Sequence, residues 1–330
     1  MKTFLPLKPG IFVVLLFAAV VGSGCKFADK PAGIYTGDIT PPVQPKSGPG
    51  SSEYAHGSVT KSHHGTGGTR YWLFEPADPK PKSAPVVIFN HGWGAMNPRS
   101  YLEWIKHIVR RGSVVIYPRY QNSIFTRARH FTPNAISAIK SAIAKLKKAG
   151  HVSPQLDNVC ALGHSMGGVL TANIAALAER ENLPKIRAMM CVEPGGPVSS
   201  LEDYARIPSD TLMLLVVGAD DRMVGNRIAK KIFFGATQVS LENKDFITVH
   251  TDEHGEPPLV AGHFAPLAGS FFRPDALDWY GFWKWFDALS DFAVKGRNRA
   301  YGLDGTGKQR HLGTWSDGTD VRKADVTDSP

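Results

Sequence analysis

Short apolar runs alternate along this chain with longer stretches of helical periodicity. Each run is too short for a helix and mostly apolar on both faces, which predicts a strand buried inside a sheet. The runs lie at residues 85–90, 114–117, 159–163, 187–192, 212–217 and 246–249. Apolar residues recur at helical spacing over 98–111, 133–148 and 166–181. We therefore expect an α/β fold, with a mostly parallel sheet covered by helices on both faces.

The regions outside these runs complete the predicted organisation. Residues 69–75 predict a further strand at the edge of the sheet, and the short segment 197–209 leaves no room for a large lid domain. We expect four parts: a signal segment at 1–24, a Pro-, Gly- and Ser-rich spacer at 25–59, one folded domain at 60–295 and a C-terminal extension at 296–330.

The first 24 residues have the features of an export signal. Two lysines lie near the start, an unbroken apolar run covers 11–21, and small residues precede Cys25. The apolar run is too short for a comfortable transmembrane helix. Small residues followed by cysteine resemble a bacterial lipobox, in which that cysteine is lipidated; the alternative is ordinary cleavage and a soluble secreted protein. We expect an exported protein, either a cell-envelope lipoprotein or a secreted or periplasmic one.

Charge and cysteine content restrict the partners. The formal net charge is +9, but the basic residues are scattered and no nucleic-acid motif accompanies them, so we expect no nucleic-acid partner. Any membrane contact is expected only through the N-terminal anchor. Cys160 and Cys191 lie inside predicted strands, which indicates two inert thiols or a bridge between neighbouring strands.

The run at 159–163 ends in a Gly-x-Ser-x-Gly pattern around Ser165, and a helical pattern follows it. Gly163 and Gly167 allow a sharp turn between strand and helix that exposes the Ser165 hydroxyl at the sheet edge. The backbone N–H of Met166 then begins the helix, where the helix dipole favours a developing negative charge. Ser165 is therefore the candidate nucleophile.

A serine nucleophile needs a base, and the base needs a carboxylate that fixes its tautomer. Asp220 and Asp221 follow the strand at 212–217, and Glu193 is a weaker rival one strand earlier. Three histidines follow the last predicted strand: His250 at its end, His254 in a polar turn and His263 after small residues. We favour His263 as the base and regard His250 as structural.

Other polar residues near the predicted strand ends are candidates for substrate contact. They are His91, His164, Arg127 and Arg129. The two arginines lie in the loop that leaves the strand at 114–117, at the end of a parallel sheet where ligands bind. They could attract an anionic substrate, or they form solvated or ion-paired surface structure.

Four motifs in order resemble the α/β-hydrolase superfamily. They are His91-Gly92-Trp93-Gly94, Gly163-His164-Ser165-Met166-Gly167-Gly168, Gly218-Ala219-Asp220-Asp221 and Gly262-His263-Phe264-Ala265-Pro266. The nearest branch holds cutinase-like polyester hydrolases, platelet-activating-factor acetylhydrolases and dienelactone-hydrolase-like proteins, and the resemblance covers roughly residues 69–293. It includes an aromatic last helix at 279–286.

The resemblance implies serine-ester hydrolysis through an acyl-enzyme, without a metal or organic cofactor. By position, Ser165 attacks, His263 transfers the proton and Asp221, rather than Asp220, orients His263. The N–H groups of Trp93 and Met166 form the oxyanion hole. The expected substrate is a small-molecule or lipid-like ester. Amide hydrolysis or acyl transfer by the same residues is an alternative, and so is a catalytically silent binding lipoprotein on this scaffold.

Overall fold

One sheet of nine strands runs through residues 38–330, the part of the chain that this computed structural model describes. The strands are β1 (Ser58–His64), β2 (Tyr71–Ala77), β3 (Ser83–Asn90), β4 (Val114–Pro118), β5 (Ser153–His164), β6 (Ile186–Val192), β7 (Leu212–Gly218), β8 (Lys244–Val249) and β9 (Asp325–Thr327). Their spatial order is β1-β2-β4-β3-β5-β6-β7-β8-β9. The strands from β4 to β8 pair in parallel, whereas β1, β2 and β9 add antiparallel pairs at the two edges.

Helices cover both faces of the sheet. They are α1 (Leu102–Arg110), α2 (Phe131–Leu146), α3 (Met166–Leu177), α4 (Arg227–Gly235), α5 (Trp283–Lys295), α6 (Arg299–Gly302) and α7 (Gly307–Arg310), with a π-helical turn at Asp278–Phe282 before α5. Single 3-10 turns lie at Gly67–Thr69, Pro98–Tyr101, Ala128–His130, Val198–Ser200, Tyr204–Arg206 and Leu241–Asn243.

Side chains of the parallel strands alternate between two apolar layers, as the geometry of a strand requires. In β3, Val86 and Ile88 belong to the layer under α2, α3 and α4, whereas Val87 and Phe89 belong to the layer under α1 and α5. Because both faces are covered, these strands read as continuous apolar runs in the sequence. The predicted α/β class, with a mostly parallel sheet and helices on both faces, is confirmed.

The position predicted for the strand at 69–75 is wrong. β2 is not at the edge, because β1 pairs with it along its whole length and β4 pairs with it on the other side. β1 has the sequence Ser-Val-Thr-Lys-Ser-His-His and begins in the predicted spacer. An exposed edge strand of such polar composition gives no apolar run to detect.

The C-terminal segment packs against the domain. β9 pairs with β8, and Trp315 and Leu312 are buried in the apolar layer under α5. The Lys284 ammonium of α5 donates hydrogen bonds to the backbone carbonyls of residues 308, 309 and 311. No helix within residues 38–330 is long and apolar enough to cross a membrane. The predicted signal segment and Cys25 lie outside the described residues.

Cys160 and Cys191 are two free, buried thiols. Burial raises the pKa of Cys160 to about 12 and raises that of Cys191 as well. Of the two alternatives for these cysteines, the structure therefore contains the pair of inert thiols.

Candidate active site

The turn between β5 and α3 holds Ser165 in a strained backbone conformation, with φ 55° and ψ −124°. Both glycines of the motif are sterically required. A Cβ at Gly163 would lie 2.2 Å from the carbonyl oxygen of Gly167, and a Cβ at Gly167 would lie 2.0 Å from that of Asn90. Ser165 itself is half-buried. The sharp turn thus presents a serine hydroxyl at the carboxyl edge of the sheet.

Ser165, His263 and Asp221 form one line of hydrogen bonds. The Ser165 Oγ lies 3.1 Å from His263 Nε2, and His263 Nδ1 lies 2.8 Å from Asp221 Oδ2. The other carboxylate oxygen, Oδ1, accepts the backbone N–H groups of Met223 and Val224 at 2.9 and 3.1 Å. Because an ionised carboxylate only accepts hydrogen bonds, His263 carries its proton on Nδ1 and turns the lone pair of Nε2 toward the serine.

The rival acid and bases lie elsewhere. Asp220 accepts a hydrogen bond from the Thr251 hydroxyl at 2.5 Å. His254 pairs with Asp317 at 2.8 Å and His250 pairs with Asp325 at 2.7 Å. These contacts stabilise the region around β8 and β9, away from Ser165.

A second buried carboxylate, that of Glu193, lies close to His263. It follows β6 with a positive φ of 45°, and its Oε2 lies 3.3 Å from His164 Nε2 and 3.6 Å from His263 Nδ1. The distance to His263 is too long for a hydrogen bond, whereas Asp221 makes one. Asp221 is therefore the carboxylate that holds His263, and Glu193 lies next to both histidines.

His164 forms a hydrogen bond to the backbone of His263. The Tyr101 hydroxyl accepts the Gly92 N–H at 3.0 Å and donates to His164 Nδ1 at 2.8 Å, so the proton of His164 is on Nε2. This Nε2 lies 2.9 Å from the backbone carbonyl of His263. Burial, with a smaller contribution from His263, lowers the pKa of His164 well below its usual value. A neutral His164 therefore links the turn after β3 to the backbone of His263.

The turn after β3 is fixed on both sides of Trp93. The Gly92 N–H is held by Tyr101, and the Gly94 N–H donates to Gln121 Oε1 at 2.9 Å. Across from it, Met166 is the first residue of α3, so its N–H has no acceptor within the helix and lies at the positive end of the helix dipole. The two backbone segments predicted for the oxyanion hole thus flank the Ser165 turn.

His91 lies inside the protein rather than at the open side of the site. Its ring stacks on Tyr120 with centroids 4.1 Å apart, and its Nε2 lies 2.7 Å from the Arg119 carbonyl. Burial lowers the pKa of His91 to about 4, which leaves the ring neutral near pH 7. His91 and His164 are both buried, whereas Arg127 and Arg129 are exposed on the loop after β4.

One known protein family matches the part of the chain that contains the Ser165 turn. Residues 72–211 match the family described as Chlorophyllase, and this interval contains Trp93, Ser165 and Met166 and ends before Asp221. Together with the sheet, the match decides the class. The chain has the α/β-hydrolase fold. No curated protein matches it significantly. The resemblance to the cutinase-like branch stays a prediction.

One group of side chains in this α/β-hydrolase has the composition of a metal site. Ligand-type atoms of His164, Glu193 and His263 lie within 4.8 Å of one another. The ring nitrogens, however, already face hydrogen-bond partners: Asp221 and Ser165 for His263, and Tyr101 and a backbone carbonyl for His164. The geometry therefore suits hydrogen bonding, and a metal ion would have to displace these contacts.

Two supporting residues of the site, Tyr101 and Gln121, carry no motif in the sequence. Tyr101 lies within the helical pattern at 98–111, and Gln121 belongs to a loop with no recognisable motif. Both act through contacts between residues far apart in the chain, as in the Tyr101 to His164 hydrogen bond. A buried tyrosine requires a hydrogen-bond partner, but the sequence does not reveal which one.

Proposed function

We propose that this α/β-hydrolase is a serine hydrolase that cleaves carboxylic esters through an acyl-enzyme intermediate. The observation that carries the proposal is the unbroken line from Ser165 Oγ through His263 to Asp221, with separations of 3.1 and 2.8 Å. A strained serine at a strand-to-helix turn, with a base and an orienting acid in hydrogen-bond reach, is the arrangement that nucleophilic catalysis requires.

In the acylation step, the Ser165 oxygen forms a bond to the ester carbonyl carbon while its proton passes to His263 Nε2. The carbonyl oxygen becomes an oxyanion, which the N–H groups of Trp93 and Met166 stabilise. Asp221 stabilises the imidazolium without taking its proton. When the C–O bond to the alcohol breaks, His263 Nε2 donates the proton to the leaving oxygen.

In the deacylation step, water takes the place of the alcohol. His263 Nε2 removes a proton from the water as its oxygen bonds to the acyl carbon, and then returns that proton to Ser165 Oγ as the acid leaves. Each step uses one base whose tautomer is set by Asp221 and whose backbone is held by His164. The chemistry needs only protein groups and water.

The substrate class and the accessibility of Ser165 each rest on one observation. The match to the Chlorophyllase family supports an esterase-type hydrolase. The segment between β6 and β7 contains only two single 3-10 turns, so no lid covers Ser165 from that side. Amide hydrolysis would use the same residues on a substrate with a poorer leaving group, and no contact among residues 38–330 favours it.

The test is hydrolysis of p-nitrophenyl esters of increasing acyl length by the mature protein and its Ser165→Ala variant. We expect turnover of short esters that falls to the background rate in the variant, with an unchanged unfolding midpoint. The control is Ser199→Ala, an exposed serine in the loop after β6. Equal turnover by the Ser165→Ala variant would refute the proposed nucleophile. Silence of the folded wild-type protein would favour the binding lipoprotein.

We also propose that the protein is exported and anchored through lipidation of Cys25, because residues 1–24 resemble a lipoprotein signal. The measurement is fractionation of cells that produce the full chain. We expect the wild-type protein in the membrane fraction, with an acyl-chain mass on its N-terminal peptide. The Cys25→Ser variant should lack this added mass. An unmodified Cys25 in the wild type, or a mature chain that starts beyond it, would refute lipidation.

A further inference from the structure

Large apolar side chains are exposed in separate loops at the carboxyl edge of the sheet, where Ser165 lies. We call them the apolar rim. Its members and their exposed fractions are Ile124 40%, Phe125 75%, Val198 47%, Met223 46% and Phe271 81%. Three other exposed apolar side chains, Val43, Phe234 and Leu241, do not belong to these loops.

The rim loops also build the active site, which fixes their position around it. The N–H of Met223 binds Asp221. Phe271 precedes Phe272, whose ring lies 6.2 Å from that of Phe264, the neighbour of His263. These contacts join the loops of Met223 and Phe271 to Asp221 and His263. The loop of Phe125 joins the turn after β3 through Gln121, and the loop of Val198 lies against Met166 at Gly196.

Arginines accompany the apolar rim. Arg99, Arg127, Arg129, Arg222 and Arg273 are exposed in loops that follow β3, β4, β7 and β8. Within residues 38–330 none of them forms an ion pair with a carboxylate. Acidic side chains also lie at this edge: Asp203 after β6, which pairs with Arg206, and the exposed Asp220 and Glu253 after β7 and β8. Apolar side chains interleaved with unpaired guanidinium groups suit the boundary between acyl chains and anionic headgroups.

We propose that the apolar rim and its arginines dock on an anionic phospholipid surface, with the opening to Ser165 facing the lipid. The apolar side chains would enter the acyl boundary, and the arginines would bind the phosphate groups. This docking gives the active site access to esters held in or on the lipid. It does not depend on the proposed hydrolysis, since binding requires only the surface.

The start of the described chain lies at the same edge. The carbonyl of Ile39 accepts the Glu256 N–H at 3.0 Å, and the Thr40 N–H donates to Ser316 at 2.9 Å. The segment that contains Glu256 directly follows β8. Thirteen Cα–Cα steps separate Cys25 from Asp38, which allows a reach of roughly 45 Å at most. An anchor at Cys25 would therefore be long enough to let this edge contact the bilayer.

The test is co-sedimentation of the mature chain from Lys26 on, without an acyl group, with vesicles. The vesicles are either pure phosphatidylcholine or a mixture with phosphatidylglycerol. We expect binding to the mixed vesicles that weakens with added salt, and at least tenfold weaker binding to the neutral ones. The Phe125→Ser/Phe271→Ser double variant should bind the mixed vesicles about tenfold more weakly, and Arg127→Gln/Arg273→Gln about as weakly.

The matched control is Phe234→Ser. Phe234 is 53% exposed and lies in α4 near Lys230 and Lys231, so it is apolar and has basic neighbours but lies outside the rim loops. Ser165→Ala should bind like the wild type, which separates docking from hydrolysis. If the wild-type protein stays in solution with the mixed vesicles, the proposal is overturned. That result is the one expected if the apolar rim binds a protein partner instead. An equal loss in Phe234→Ser would also overturn it.

Discussion

Replacement of Asp221 by Asn tests how the base is oriented. Asp221 Oδ1 accepts two backbone N–H groups and Oδ2 accepts His263 Nδ1–H at 2.8 Å. An asparagine keeps its one oxygen on the two backbone donors, because its NH₂ group cannot accept them. The NH₂ then faces Nδ1, which must lose its proton to accept. The proton of His263 moves to Nε2, where no lone pair remains for the Ser165 hydroxyl.

The expected loss is large because the ring is in the wrong tautomer and its charged form is no longer stabilised. In serine hydrolases this change lowers kcat about 10⁴-fold, or roughly 5.5 kcal/mol of transition-state stabilisation. Glu193 does not replace the lost carboxylate, since its oxygen lies 3.6 Å from Nδ1. The assay is steady-state hydrolysis of a short p-nitrophenyl ester, with kcat and KM measured separately. We expect KM to change little.

The matched control is Asp220→Asn. Asp220 is adjacent in sequence and exposed, and it binds Thr251 rather than His263. We expect kcat of this variant within about twofold of the wild type. A loss below about 100-fold in Asp221→Asn, or an equal loss in Asp220→Asn, would show that the tautomer argument is incorrect.

Three further predictions concern stability, each measured by denaturant unfolding. Gly167→Ala places a Cβ 2.0 Å from a backbone oxygen of β3, so we expect a loss of about 3 kcal/mol or failure to fold, whereas Gly307→Ala, with no atom within 4 Å, should change little. Lys284→Met removes the partner of three backbone carbonyls and should cost about 3 kcal/mol; an unchanged free energy of unfolding would contradict this. Burial raises the pKa of Asp287, but His107 and an arginine outweigh it and lower the pKa below 3.8. The stabilisation from Asp287 is therefore present above about pH 4 and is lost as the pH falls through the folded-state pKa. Asp287→Asn should cost about 3 kcal/mol near pH 7 and progressively less as the pH falls below about 4, and a constant difference would refute the linkage.

The central part of the fold was predictable because burial on both faces leaves a clear signal. The parallel strands read as apolar runs, and Gly163 and Gly167 identify the turn since no larger residue fits there. The order Ser165, Asp221, His263 is the one that the resemblance to the α/β-hydrolase superfamily implies. The structure brings Ser165, His263 and Asp221 into contact and keeps His254 and Asp220 with other partners.

The edges and the supporting contacts were not predictable for a different reason. β1 is polar and β9 has only three residues, so neither produces hydrophobic periodicity. The Tyr101 to His164 hydrogen bond joins residues 63 positions apart, and Glu193 reaches the site only because β6 lies beside β5. Such contacts depend on tertiary packing. The pattern of a single sequence indicates only local structure and burial, so it does not reveal these contacts.

Labelling with a fluorophosphonate tests the central claim most directly, since the reagent forms a covalent bond only with an activated serine. The folded mature protein is incubated with the reagent, and the modified peptide is identified by mass spectrometry. We predict one adduct per chain on Ser165, which is lost in Ser165→Ala and formed far more slowly in His263→Ala. A folded wild-type protein that acquires no adduct, or an adduct on another residue, would contradict the account.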